Sequence, residues 1–157
     1  MRALFAFFVA FGLAACDYTE KILGGQPTLP QAPLIIETAK DPARFIVEMA
    51  TTGPQQERGL MFRRTLAPDA GMFFDLGHER QIGFWMKNTL IPLDLIFIKG
   101  NGTIARIAAN AKPLSQDNIP SNEPVRAVLE IPGGRAAQLG VEAGDVVRQA
   151  IFGNMPR

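Results

Sequence analysis

The sequence predicts a mainly β chain, built as a small β-barrel or jelly-roll-like sandwich with one or two short capping helices. Short apolar stretches with a period of two recur along it. Glycine, proline and asparagine turn signals separate them, as in small barrels and sandwiches. Only Pro54–Phe62 and Arg135–Leu139 read as helical, and both are short.

Phe45, Val47 and Met49 alternate within a strand at 43–50. Pro54 stands near the start of the first helix, with Gln55, Gln56, Glu57 and Arg58 in its first turns. Strands follow at about 71–75, 80–87, 93–99 and 103–109. In the second of these, Ile82, Phe84 and Met86 alternate with Gly83, Trp85 and Lys87. Pro92 cannot donate to a ladder, so it marks the next strand's start and leaves Asn88 to Ile91 as a tight connector. Residues 111–124 carry Pro113, Pro120 and Pro124 and read as a long loop, a class often functional. A strand at 125–131 ends at Pro132-Gly133-Gly134, Gly140 stops the helical turn, and Gly144-Asp145 leads into a last strand at 146–152.

Gly100-Asn101-Gly102 is a strong hairpin signal, because Asn-Gly tolerates the positive φ angles of a tight turn. A two-residue turn sets Ile98 opposite Ala105, Ile96 opposite Ile107 and Asp94 opposite Ala109; a three-residue turn shifts this register. Asp94 then lies on an otherwise apolar face, where a carboxylate is costly unless hydrogen-bonded or paired. Two readings stay open. In the preferred one Asp94 accepts hydrogen bonds from the Asn88-Thr89 backbone and pins that loop. In the other, Asn88 and Asp94 converge as the polar corner of a ligand pocket.

The N-terminus has Arg2, an apolar run from Ala3 to Leu13, and then Ala14-Ala15-Cys16. The run is too short for a spanning helix and has the proportions of a signal-peptide core. Leu13 suits an ordinary cleavage site poorly, and Leu13-Ala14-Ala15-Cys16 resembles the lipobox of bacterial lipoproteins. We therefore expect a lipoprotein signal peptide at 1–15, a lipidated Cys16 with a flexible tether through 33, and one domain at 34–157. The tether would reach roughly 20–25 Å on average if flexible. Lipidation places the chain at the periplasmic side of a bacterial envelope, with the membrane as partner. Asp17 favours the inner membrane.

Composition narrows the function. Cys16 is the only cysteine, so no disulfide can form within the domain. Arg2 is the only charge in residues 1–15, so the chain beyond them is formally neutral. No basic run exceeds Arg63-Arg64, which speaks against nucleic acid.

The run Phe84-Trp85-Met86-Lys87-Asn88-Thr89 with Pro92-Leu93-Asp94 is the most specific stretch. Together with Arg58-Gly59-Leu60-Met61, Gly71-Met72-Phe73-Phe74, Gly102, Leu129-Glu130, Gly134, Gly140-Val141 and Gly144-Asp145-Val146-Val147, it resembles the domain-of-unknown-function family 192 (DUF192) over about residues 34–152. The resemblance implies a compact all-β fold of barrel or jelly-roll character, often in secreted or envelope proteins. It implies no established activity, cofactor or catalytic residue.

Other chemistries fit poorly. Ser115 and Ser121 lie in the proline-rich loop without a nucleophile elbow, and His78, the only histidine, sits in a turn. One histidine and one lipidated cysteine make no zinc site. Met61, Met72 and Met86 with His78 could suit Cu(I), but methionines in apolar runs are commonly core filler, so no metal or cofactor is expected. Gly133-Gly134-Arg135 reads as a turn and not as a phosphate loop.

The expectation is a non-catalytic binding or accessory module for a small polar ligand, a glycan or an envelope protein. Its candidate ligand-binding residues are Arg58, Trp85, Lys87, Asn88, Thr89 and Asp94, with Trp85 as a stacking face and Lys87 at the rim. The alternative is a glycosidase-like hydrolase using Asp94 and Glu130 as paired carboxylates. Against it, Glu130 reads as an outward strand residue or a partner for Arg58.

Overall fold

The computed structural model describes residues 28–156. It is mainly β, with a curled seven-stranded sheet and two short helices. The strands are β1 (Gln31–Glu37), β2 (Ala43–Ala50), β3 (Ala70–Arg80), β4 (Gly83–Phe84), β5 (Leu93–Ile98), β6 (Ile104–Ala111), β7 (Ile119–Pro120), β8 (Val125–Pro132) and β9 (Val146–Arg148). Helix α1 (Gly53–Arg58) links β2 to β3, and α2 (Arg135–Leu139) follows β8.

The large sheet runs β6-β5-β8-β3-β2-β1-β9, and β4 pairs only with β7. Neighbours in the sheet are antiparallel except β2 and β3, which are joined through α1. A bridge between Thr103 and Val146 brings the β5–β6 turn against β9, so the two edges of the sheet meet. Gly102 permits that closure. Its φ is +85°, and a Cβ there would lie 2.8 Å from the Val147 carbonyl.

The β5–β6 turn is the three-residue form. Gly102 N–H donates to the Lys99 carbonyl, and Lys99 N–H donates to the Thr103 carbonyl. Ile96 faces Ile107 as the sequence suggested, but Ile98 faces Ile104 instead of Ala105. A second irregularity falls opposite Asp94, where Asn110 takes a φ of +50°.

Four other boundaries differ from expectation. β1 begins at Gln31, ahead of the expected domain start, because its outer residues pair with Val47 and Glu48. β3 runs through Gly77, whose φ of +79° absorbs a register shift against β8 instead of reversing the chain. The strand expected to reach Lys87 stops at Phe84, because its partner β7 is two residues long. The last strand stops at Arg148, where Gln149 caps a 3-10 turn at Ala150–Phe152.

Two apolar clusters cover the two faces of the sheet. Phe45, Phe73, Ile96, Leu129, Ile131 and Val147 belong to one, and Leu60, Phe74, Leu95, Phe97 and Val128 to the other. Every residue of β5 is buried, which explains its unbroken apolar run. Each fully buried phenylalanine contributes roughly 1.5–3 kcal/mol by removal from water.

Candidate functional site

The second cluster leaves a cavity of about 710 Å³ between α1, β3 and the segment around β4. Its helical wall comes from Gln56, Glu57, Arg58 and Gly59. Pro54 and a capping box start that helix, with Gln55 reaching back to the Thr52 N–H, and Gly59 ends it at a φ of +47°. Phe74, Leu76 and Arg80 of β3 make a second wall, with Phe84, Trp85, Lys87 and Thr89 opposite. Phe74 meets Phe84 edge to face at 5.0 Å.

Two acidic residues line this space, exposed Glu57 and buried Glu130. β8 pairs Glu130 with Met72 of β3 on one side and Leu95 of β5 on the other, so Glu130 projects among apolar neighbours. It is only 4% exposed. Its carboxyl has no hydrogen-bond or ion-pair partner among the described residues, yet no fully enclosed polar atom is left unsatisfied. The carboxyl oxygens therefore reach the cavity. Burial pushes this carboxyl up from its ordinary 4.5 to about 8, so it holds its proton at neutral pH.

Glu48 shows the contrasting case two strands away on the same face. Its carboxylate accepts from Arg63 Nη1 and Nη2 at 2.5 and 2.8 Å and from Leu29 N–H at 3.0 Å. The Gln56 amide cannot serve Glu130 in that way, because its Nε2 already donates to the Ala50 and Asp75 carbonyls. Arg80 Nη1 donates to the Leu76 carbonyl, and Arg58 lies over the Phe62 ring at 5.3 Å.

Asp94 is fully buried on the other face. Its Oδ1 accepts from Asn110 and Gly134 N–H at 2.8 and 2.9 Å, and its Oδ2 from Ala136 N–H at 2.8 Å. It pins backbone, as the preferred reading held, but at the bulge of β6 and the start of α2 and not at Asn88-Thr89. The carboxyl is fully used there, and Asp94 does not line the cavity. Convergence of Asn88 with Asp94 in a pocket is therefore corrected.

The paired-carboxylate reading falls with it. Asp94 faces Ile131 and Glu130 faces Leu95, so one alternation step sends the two carboxyls to opposite sides of the sheet. Glu130 is also not the outward residue or Arg58 partner that the sequence suggested.

Arg58, Trp85, Lys87 and Thr89 do come together around the cavity with Glu130. Trp85 is half exposed, with Lys87 Nζ 5.2 Å from its ring centroid. Asn88 stands behind them in a left-handed conformation, φ +57°, and its carbonyl accepts from Phe62 N–H. Gln56, Phe74, Arg80 and Phe84 line the site without having been singled out as ligand contacts. Phe84 carried a signal through its strand alternation with Ile82 and Met86, and Phe74 through the motif Gly71-Met72-Phe73-Phe74. Among the described residues, no three His, Cys, Asp or Glu side chains gather as metal ligands.

Comparison with known proteins adds relatives. The family model for DUF192, described as "Uncharacterized ACR", matches residues 34–149. A crystal structure from Sinorhizobium meliloti 1021, described as a "putative transcription regulator", is 43% identical with a TM-score of 0.78, over 81% of this chain and 99% of that one. A protein of unknown function from Novosphingobium aromaticivorans DSM 12444 is 40% identical with a TM-score of 0.77, over 79% of this chain and 90% of that one. No curated protein matches the chain.

Proposed function

The chain belongs to the DUF192 family, whose function is unknown, and from that premise we propose that its domain is a non-catalytic module binding a small polar ligand in the Glu130 cavity. One observation carries the reading. A carboxyl that is almost wholly buried and without a partner among the described residues faces a cavity large enough for a small molecule. Such a group costs stability in the empty domain, and a ligand that hydrogen-bonds it offsets that cost.

The protonated Glu130 donates to a hydroxyl or carbonyl oxygen of the ligand. The Trp85 ring offers a stacking face to a sugar ring, and Arg58 and Lys87 at the mouth favour an outward anionic substituent. A sugar or sugar acid meets all three demands. In this reading Cys16 carries the lipid, and the module works at the periplasmic side of a bacterial envelope. Cys16 and Asp17 lie outside the described residues.

Thermal-shift titration of the full chain with sugars, sugar acids and cell-wall fragments tests this. A ligand at a hundred times its Kd adds about 2.7 kcal/mol of stability. The shift should shrink or vanish in folded Glu130→Leu and persist in Asp94→Asn. If no compound of the panel shifts the wild-type chain, or if Glu130→Leu keeps the full shift, the cavity is not the binding site.

A further inference from the structure

Exposed large apolar side chains are few in this domain, and four of the five lie together. Phe62, Trp85, Leu90 and Leu114 are between 41% and 58% exposed; Ile46 is the fifth. The loops that carry the four are tied side by side. Phe62 N–H donates to the Asn88 carbonyl, Leu114 N–H to the Thr89 carbonyl, and Met86 N–H to the Ser115 carbonyl. Phe62 and Leu114 hold φ angles of +66° and +63°, a strained region for bulky side chains. Strained backbone that presents an apolar side chain to water serves nothing inside the isolated domain.

Charge is skewed toward the basic at the same place. The whole chain has 16 basic and 15 acidic residues, yet segments 57–66, 84–91 and 111–117 hold five basic residues against two acidic ones, Glu57 and Asp117. Arg63 is engaged with Glu48, while Arg58, Arg64, Lys87 and Lys112 are exposed around the apolar side chains. The chain also enters the fold here. Leu29 N–H and the Arg63 guanidinium share the Glu48 carboxylate, so the first described residues, Thr28 and Leu29, stand beside the Phe62 loop. Residues 17–27 can separate Cys16 from Thr28 by at most about 40 Å when fully extended.

We propose that this end of the domain is a membrane-docking surface, on which Phe62, Trp85, Leu90 and Leu114 enter the interface of an anionic bilayer while Arg64, Lys87 and Lys112 meet its phosphates. An apolar patch with an excess of cations beside it is the combination that such an interface retains, with tryptophan at headgroup level. Nucleic acid would use the cations but leave three aliphatic and phenyl groups in water. Docking turns the mouth of the Glu130 cavity, which shares Arg58, Trp85 and Lys87, toward the membrane surface.

Trp85 is the only tryptophan, so its emission reports on the patch without a label. The full chain, purified as the cell delivers it, is combined with vesicles of phosphatidylcholine alone or mixed with phosphatidylglycerol, carrying brominated acyl chains as quenchers. Trp85 emission should move to the blue and be quenched in the anionic vesicles and much less in phosphatidylcholine. Lys112→Gln and Arg64→Gln, which leave the cavity intact, should each weaken docking about fivefold. Leu114→Ser should lower quenching without releasing an acylated chain from the vesicles.

Water-like, unquenched Trp85 emission in anionic vesicles overturns the proposal, whether or not Cys16 proves to be acylated. Equal quenching in both lipids overturns the anionic assignment. A blue shift that follows protein concentration in detergent, or that duplex DNA produces and vesicles do not, gives the patch to a second copy or to nucleic acid and overturns it as well. None of these readouts depends on a ligand in the Glu130 cavity.

Discussion

Asp94 and Glu130 sit on adjacent strands, one step apart along the β5–β8 ladder, with their carboxyls on opposite faces of the sheet. Asp94 is saturated by three backbone N–H donors and is structural. Glu130 has none and faces a cavity. The same residue chemistry thus divides into a pin and a candidate site by a single alternation.

Glu130 should make stability fall as pH rises. Its carboxyl titrates near 8 in the folded chain and near 4.5 when unfolded, so between these values the folded state binds more protons. Stability is unaffected by this group below about pH 4.5, declines above it, and levels off above about 8 after a loss on the order of 4 kcal/mol. Urea unfolding from pH 4.5 to 8.5 should show that slope in the wild type and lose it in Glu130→Gln. Equal slopes in the two proteins would remove the buried, protonated carboxyl from the account.

Asp94→Ala should cost about 2–4 kcal/mol, because three backbone N–H groups lose their acceptor at the β6 bulge and the start of α2. Hydrogen exchange at Asn110, Gly134 and Ala136 should accelerate first. An unchanged unfolding midpoint would show that water replaces the carboxylate without penalty.

Gly71→Ala should destabilise the sheet severely, since a Cβ there would stand 2.6 Å from the Glu130 carbonyl and 3.2 Å from an Ile131 methyl. Forcing β3 from β8 disturbs both apolar faces at once, and we expect a loss of about 1–3 kcal/mol or more. Thermal unfolding checks this; a melting point within a degree or two of wild type would sink the close-approach argument.

Phe62→Gly should leave stability unchanged or raise it by roughly 0.5–1 kcal/mol, because glycine adopts its φ of +66° without strain. The same substitution should weaken vesicle docking. Asn88→Ala should behave oppositely, costing about 1 kcal/mol through its φ of +57° while leaving the exposed patch in place. Paired denaturation and vesicle measurements separate the two, and a large loss of stability in Phe62→Gly would count against the strained display.

Much of the fold was legible in local pattern. Alternation placed β2, Pro92 and the turn Gly100-Asn101-Gly102 bracketed β5, Pro132-Gly133-Gly134 ended β8, and Gly140 ended α2 at a φ of +69°. Boundaries failed where a partner strand decided them, as at β4, or where glycine absorbed an irregularity, as at Gly77. The site was half legible. Arg58, Trp85, Lys87 and Thr89 were singled out and do line the cavity, whereas the polar corner assigned to Asn88 and Asp94 dissolved because Asp94 turns to the other face of the sheet, where the Asn110, Gly134 and Ala136 N–H groups take up its carboxylate.

What the sequence by itself determined is what short-range physics controls: a mainly β chain, its family and the place of its β5–β6 hairpin. Only the tertiary structure decided which carboxyl is satisfied and which is not, because that depends on which backbone N–H groups arrive from residues 16 to 42 positions away in the chain. It also gathered cations and exposed apolar groups that are scattered in sequence onto one end. Three separate loops must fold side by side before that surface exists, and no periodicity within any one of them announces it.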